Sequence, residues 1–514
     1  MDHFLSFLRQ PVRVHALIIG AATLYWGLRV FAFSGLSGDE AEQILYAQAF
    51  AWGYDVANPP LYTWALMGLF NIFGKSAAVV LAFKLAVLGG LYVALYHAAR
   101  LILGPGRELD WALVGLSPVL MFPIGWHAMF SYSHSLFNAL FVILAVVVVW
   151  RIVHNGRTWD FLGLGVVVGL GVMSKYSFVL FLAALLAATA SVADIRTKVF
   201  TPKLTLSVLV AALIALPHAL WLLDARETLQ SAVNYKLQVQ EETSYLAGLG
   251  KGLWNLMRAA FAFLSPYWLI VLAVFPILMR GFKTPSANVW GTLLGRTFAG
   301  VFVLLVVMVL GGATQFRPNY MFFLILVPLW AFTRLPVSEE NDKRRIVYGV
   351  IAVAGLVVSV GSLAAKAVSD PYLCKKCQQQ MPYERIAQEL KDRGFTGGSV
   401  LAHWYPNPLP GNLLLFLDDT RMVSAKFPHL VPPRGQSDGQ SSGKCLLVTM
   451  AVDQGGSDMV NLSARAKEAY GATIDPKTPF ARFEVPFRGM PDKWVLVDYV
   501  LLNAESGQDL GDCR

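Results

Sequence analysis

Apolar runs approaching the ~20 residues that a helix needs to cross the hydrocarbon layer recur between Val14 and Leu363, divided by polar loops containing Gly and Pro. One aqueous core cannot absorb them. Of the 514 residues, 56% are hydrophobic and 15% charged, and the mean hydropathy is +0.53; a soluble domain has about 45–50% and 25%. Lipid is therefore the expected solvent for most of the chain, and the expected fold class is a polytopic α-helical membrane protein. A rise of ~1.5 Å per residue gives about eleven spans, over residues 14–33, 77–103, 111–126, 134–150, 161–173, 178–192, 204–223, 267–279, 293–310, 320–332 and 346–363.

The net charge of +9 does not point to nucleic acid, because Lys and Arg are scattered singly between apolar runs rather than gathered in a patch. They fall in every second loop: Arg9 and Arg13, Arg100 and Arg107, Arg151 and Arg157, Arg196 to Lys203, Arg280 to Arg296, and Arg334 to Arg345. The positive-inside rule assigns these loops to the cytoplasm. An odd number of crossings then leaves the N-terminus inside and the C-terminus outside. The first span reads as uncleaved, with cleavage near Ser34-Gly35 as the alternative. Two outer loops, 34–76 and 224–266, are long, and the first carries apolar helical stretches at 41–52 and 61–73 that suit the membrane surface.

Beyond Ala367 the composition turns mixed and polar. A helix is predicted at 383–393, strands at 399–403 and 445–450, a helix at 464–470 and strands at 481–485 and 494–502, with a flexible loop at 432–443. The expected organisation is a membrane domain over 1–366 and a small α/β domain over 367–514 on the periplasmic side of a bacterial inner membrane. All four cysteines, Cys374, Cys377, Cys445 and Cys513, fall in the second part. They imply disulfides with three pairings open, or a zinc site, which lacks a second Cys-x-x-Cys.

Charges at the mouths of membrane helices are costly and therefore informative. Asp39 and Glu40 follow the first span, and Glu42, Tyr46 and Asp55 come after them. Adjacent carboxylates there suit proton abstraction from a hydroxyl, or retention of a metal or a sugar hydroxyl. The plain alternative is a helix N-terminus that complements the macrodipole. Asn58-Pro59-Pro60-Leu61-Tyr62 forms a stiff turn into an aromatic helix. Lys175 lies in a short outer turn, Arg317 starts a late span and Lys84 lies within the second span. Fixed cations at the outer interface would stabilise a departing lipid phosphate, the alternative being snorkelling to headgroups. His134 is a candidate for binding acceptor or donor, with a structural role as the alternative; His218 is a candidate lining of the donor cavity, with helix packing at the kink of Pro217 as the alternative.

Taken in order, Gly38-Asp39-Glu40-Ala41, Tyr46-Ala47, Pro59-Pro60-Leu61-Tyr62, the glycine-rich 169–174 ending in Lys175-Tyr176, and Arg317-Pro318-Asn319-Tyr320 resemble the GT-C glycosyltransferases. The resemblance runs from Val14 to Phe332 and is to the branch of protein O-mannosyltransferases and the bacterial lipid A aminoarabinose transferase. It implies transfer of a sugar, with inversion, from a polyprenyl-phosphate donor to a periplasmic lipid or glycan acceptor or a protein. Asp39, with Glu40 beside it, is then the candidate base. Lys175, Arg317 and Lys84 would hold donor phosphate, and Tyr46, Asn58, Tyr62, His134, Tyr176, His218, Asn319 and Tyr320 would line the substrate cavity. Ala57 and Asn58 replace the Glu-Lys pair that many relatives carry, so the metal site built on that Glu is not implied, and no metal ligand is assigned. Ser133-His134-Ser135 stands where the family often has an aspartate, and Asn319 replaces its usual His.

Phosphate-loop, nucleophile-elbow and H-E-x-x-H motifs are absent from the sequence. The rival readings are a flippase of lipid-linked sugars and a membrane-anchored binding protein.

Overall fold

The computed structural model describes residues 2–239, 244–281, 288–336, 339–374, 377–404, 408–433, 444–451, 459–475, 478–503 and 506–513. They form two compact units: residues 1–25, 52–62 and 84–361, and residues 26–51, 63–83 and 362–514. Segments 26–51 and 63–83 thus belong with the C-terminal residues, a partition that does not follow the chain boundary expected at 366/367.

The first unit is helical. Among the described residues, six helices of the chain are long and apolar enough to cross a membrane: Pro11–Phe31, Ala77–Leu103, Ser133–Asn155, Leu204–Asp224, Val289–Leu310 and Asp342–Leu373. Ser177–Ser191 with Ala193–Val199 adds a seventh if that pair, bent by 111°, is counted as one. Three of the eleven expected spans are not continuous helices. The 111–126 run is Glu108–Leu116, a 3-10 turn at Ser117–Leu120 and the short Phe122–Gly125; 267–279 breaks between Tyr267–Val274 and Ile277–Gly281; 320–332 is largely 3-10 before Val327–Phe332. Prolines 118, 123, 276 and 328 explain the breaks, since each lacks an N–H and collides with the preceding turn. The last helix, in contrast, runs on to Leu373.

Lipid tails give two helices no hydrophobic reason to associate, so small residues that allow close approach hold this unit together. Thr158–Ser174 packs along Leu204–Asp224. A Cβ at Gly165 would lie 2.7 Å from the Ser207 carbonyl oxygen, while the Ser207 hydroxyl donates to the Phe161 carbonyl at 2.6 Å. In the same unit Asp110 is buried between Arg345, whose Nε donates at 2.6 Å, and Arg107 at 2.5 Å. Two cations around one carboxylate offset the cost of removing it from water.

The second unit contains a five-stranded sheet: β1 Gly398–Ala402, β2 Thr420–Ser424, β3 Cys445–Ala451, β4 Ala481–Phe487 and β5 Met490–Leu502, in the order β2-β1-β3-β5-β4. β1 runs parallel to β2 and β3, and β5 is antiparallel to β3 and β4. The helix Met459–Tyr470 covers a core of Leu401, Val423, Leu447, Leu462, Ala466 and Val500. The expected α/β domain is therefore present, and among the described residues it also holds β2 and the short helix Leu409–Leu413, which the sequence does not predict. The expected helix at 41–52 is shorter and earlier, Gly38–Tyr46, whereas Leu61–Phe73 falls as expected. Residues 434–443 of the expected loop 432–443 lie outside the described residues.

Two disulfides close in this unit, Cys374–Cys377 and Cys445–Cys513. The second spans 68 residues of sequence, a loop whose closure restricts the unfolded chain by about 4 kcal/mol. Replacing both Cys445 and Cys513 by Ser is expected to lower the unfolding midpoint of the protein in non-reducing detergent, and dithiothreitol should produce the same loss in the wild type but not in the variant. Gly165→Val forces apart two packed helices and is expected to destabilise by about 1–3 kcal/mol, read as a lower thermal midpoint, while Gly163→Ala, with open space at its Cβ position, leaves it unchanged.

Candidate active site

In the first unit, the glycine-rich helix Thr158–Ser174 ends at Lys175, which adopts an extended backbone before Ser177–Ser191 begins. Lys175 is only 9% exposed; its ammonium donates to Ser135 Oγ at 2.5 Å and to the Asn319 carbonyl at 3.0 Å, and lies 5.9 Å from the centre of the Tyr320 ring. Three segments far apart in sequence, 133–135, 174–176 and 318–320, thus meet around one cation. A buried ammonium held by directed hydrogen bonds has the chemistry that binds a phosphate oxygen.

Tyr176 and His218 form the next layer. The Tyr176 hydroxyl lies 3.0 Å from His218 Nε2, and His218 Nδ1 lies 2.7 Å from the Trp52 carbonyl oxygen. A carbonyl only accepts, so Nδ1 carries the proton and Nε2 accepts from the tyrosine. Both nitrogens are engaged and the ring stacks on Trp221 at 5.5 Å, which makes His218 an anchor for the Trp52 segment. The Tyr62 ring lies 5.5 Å from that of His134. Asn58 pairs with Asp55 in a tight turn, where the Asp55 carboxylate accepts from the Ala57 N–H at 3.1 Å, and the Lys236 ammonium donates to the Ala57 carbonyl at 3.4 Å. Lys236 was not singled out from sequence; its place in the long second outer loop, within Arg226–Leu237, was the available signal.

Two expected phosphate ligands stand apart from this cluster in character. Arg317 is exposed, with its guanidinium 3.4 Å from the Gln315 side chain; it is the following residues, Asn319 and Tyr320, that meet Lys175. Lys84 is fully buried inside Ala77–Leu103.

In the second unit, Asp39 and Glu40 open the helix Gly38–Tyr46 and have different surroundings. Glu40 accepts from the Ser37 N–H at 2.9 Å, the reciprocal half of an N-terminal cap, and its two oxygens receive Arg29 Nη1 and Nη2 at 3.3 and 2.8 Å. Both side chains of this ion pair are 0% exposed. Asp39, one position earlier, is exposed. Arg29 escaped the sequence reading, although a lone cation within the first apolar run is the kind of residue that demands a partner.

The C-terminal residues of this unit hold the same helix. Asn412 accepts from the Leu36 N–H at 2.8 Å and donates back to the Leu36 carbonyl at 3.2 Å. Gln48 makes the same two-way amide contact with Met422 at the middle of β2, both bonds at 2.9 Å. Gly411 approaches so closely that a Cβ there would lie 2.0 Å from the Ala41 carbonyl oxygen. Lys426 reaches Glu42 at 3.4 Å and covers the rings of Trp404 and Phe427, and Phe427 meets Tyr46 edge-on at 5.9 Å. None of these partners was read as part of the site from sequence, because the contacts are long-range and the residue types ordinary.

Among the described residues no group of three or more His, Cys, Asp or Glu side chains is placed to hold a metal ion.

Residues 57–221 match a family model described as dolichyl-phosphate-mannose-protein mannosyltransferase. The chain is 26% identical over 465 residues to lipopolysaccharide core galacturonosyltransferase RgtB of Rhizobium johnstonii, covering 87% of this chain and 88% of the relative. It is 24% identical over 411 residues to RgtA of the same organism, covering 78% and 80%. ArnT from Cupriavidus metallidurans, solved with undecaprenyl phosphate bound, shares the fold with a TM-score of 0.62 at 12% identity over 94% of this chain and 97% of that one; the apo form gives 0.58 at 13%. Sequence relatives, the family model over 57–221 and the ArnT fold thus agree with the GT-C, ArnT-like resemblance of the sequence: the chain is similar to membrane glycosyltransferases along most of its length.

Proposed function

We propose that the protein transfers a sugar, with inversion, from a polyprenyl-phosphate carrier to a hydroxyl of a lipopolysaccharide-type glycan on the periplasmic face of a bacterial inner membrane. The acceptor class follows the names of the two galacturonosyltransferase relatives, and the donor class follows the undecaprenyl phosphate named for the ArnT structure. The acceptor oxygen attacks the anomeric carbon, the bond from that carbon to the phosphate oxygen breaks, and the hydroxyl proton passes to Asp39. Lys175 stabilises the charge that appears on the departing polyprenyl phosphate, with Arg317 as its exposed companion. Lys84, Tyr46, Asn58, Tyr62, His134, Tyr176, His218, Asn319 and Tyr320 take positioning roles in this reading.

One observation carries it: the two adjacent carboxylates are divided between tasks. Glu40 is buried and committed to Arg29 and the helix cap, whereas Asp39 is held at the exposed first turn. A base must reach its proton, and only Asp39 meets that condition.

The test uses purified full-length protein, an undecaprenyl-phosphate-linked uronic acid or hexose, and a lipopolysaccharide core acceptor. Asp39→Asn is expected to lower kcat by about 10²–10⁴-fold with an unchanged unfolding midpoint; turnover at the wild-type rate would remove Asp39 from the mechanism. Donor that crosses the bilayer of a proteoliposome without forming a glycosidic product would favour the flippase instead.

Glu40→Ala should behave differently. It strands a buried guanidinium at a cost of about 3–5 kcal/mol, so the protein is expected to lose stability along with activity. The double variant Arg29→Met, Glu40→Leu should recover most of the thermal midpoint; failure to do so would show that the pair is not what Glu40 contributes.

A further inference from the structure

The second unit encloses a cavity of about 600 Å³ whose wall combines the end of the first long apolar helix, the start of the second and three pieces of the C-terminal domain. Its polar half carries Arg29, Arg385 and Arg488 against one acid, Glu384. Arg29 is committed to Glu40. Arg488 donates to the Phe31 and Phe33 carbonyls at 3.0 and 3.3 Å, which fixes its guanidinium at the C-terminal end of Pro11–Phe31. Arg385 is exposed and makes no ion pair among the described residues. A fourth polar group, the Tyr383 hydroxyl, is buried and has no hydrogen-bond partner among them, a condition that a ligand oxygen would relieve.

The other half is apolar, with Leu81 and Phe416 in the wall. The two apolar helices that contribute to it are tied together at this level, where Trp26 Nε1 donates to the Ala78 carbonyl at 3.0 Å. Phe31 beside it is largely exposed. Helix ends of this kind mark the level at which hydrocarbon gives way to headgroups. A volume of this size suits a small amphipathic ligand, and guanidinium groups select phosphate oxygens in preference to neutral ones.

We propose that this cavity binds the phosphate-bearing headgroup of an anionic membrane lipid, which is neither the sugar donor nor the acceptor of the reaction above. Arg29 closes the wall while fully buried in its pair with Glu40, so Arg385 and Arg488 supply the guanidinium groups for a bound phosphate. The proposal stands independently of the glycosyl-transfer reading.

The test measures binding of dihexanoyl phosphatidic acid to the full-length protein in nonionic detergent, by titration calorimetry and by the shift in thermal midpoint. Dihexanoyl phosphatidylcholine and inorganic phosphate at matched concentrations are the controls. Phosphatidic acid is expected to bind and to raise the midpoint, and Arg385→Gln to weaken its Kd about tenfold, the equivalent of about 1.4 kcal/mol. The double variant Arg385→Gln, Arg488→Gln should abolish it. Because Arg488 also holds helix carbonyls, the single variant decides the matter if the double variant does not fold. Equal affinity in wild type and Arg385→Gln would overturn the site. Equal binding of phosphatidylcholine would overturn its charge selectivity, and an equal effect of inorganic phosphate would overturn its assignment to a lipid.

Discussion

The ion pair between Arg29 and Glu40 is the constraint on which the candidate base depends. A charge removed from water is stable only when its partner meets it with good geometry, and here two nitrogens meet two oxygens with both side chains fully buried. That pair joins the end of the first long apolar helix to the first turn of Gly38–Tyr46. The remaining oxygen capacity of Glu40 goes to the Ser37 N–H, so the helix start has little freedom. The neighbouring Asp39 inherits a fixed direction without itself entering the buried pair.

Lys175 in the first unit follows a similar logic with a different outcome. Its ammonium donates to a hydroxyl and a backbone carbonyl. The extended backbone at the helix break supplies the direction.

Much of this was legible in the sequence where the signal is local. Hydropathy alone marked the long helices, and 77–103 falls on Ala77–Leu103 to the residue. The glycine-rich segment ending in Lys175 and the Arg317 to Tyr320 element were read from motif order, and they meet in space as Lys175 with Asn319 and Tyr320. Where prolines 118, 123, 276 and 328 interrupt apolar runs, composition still read as continuous span, because hydropathy averages over a residue whose effect is on backbone geometry. Arg29, Asn412, Gln48 and Lys426 stayed invisible for another reason: each acts through a partner that only the fold brings near. The sheet order, with β3 between β1 and β5, is likewise a product of long-range pairing.

The two-way amide contacts of Asn412 with Leu36 and of Gln48 with Met422 bear on how such a protein can be dissected. Composition invites a cut near residue 367, yielding a greasy fragment and a polar appendage. Such a cut would strip the Gly38 helix of its backbone supports and expose the Ala41 carbonyl that Gly411 now covers. The polar appendage is therefore better regarded as the support of the Gly38 helix that happens to be written last, and truncating it would disturb that helix as much as any surface of its own.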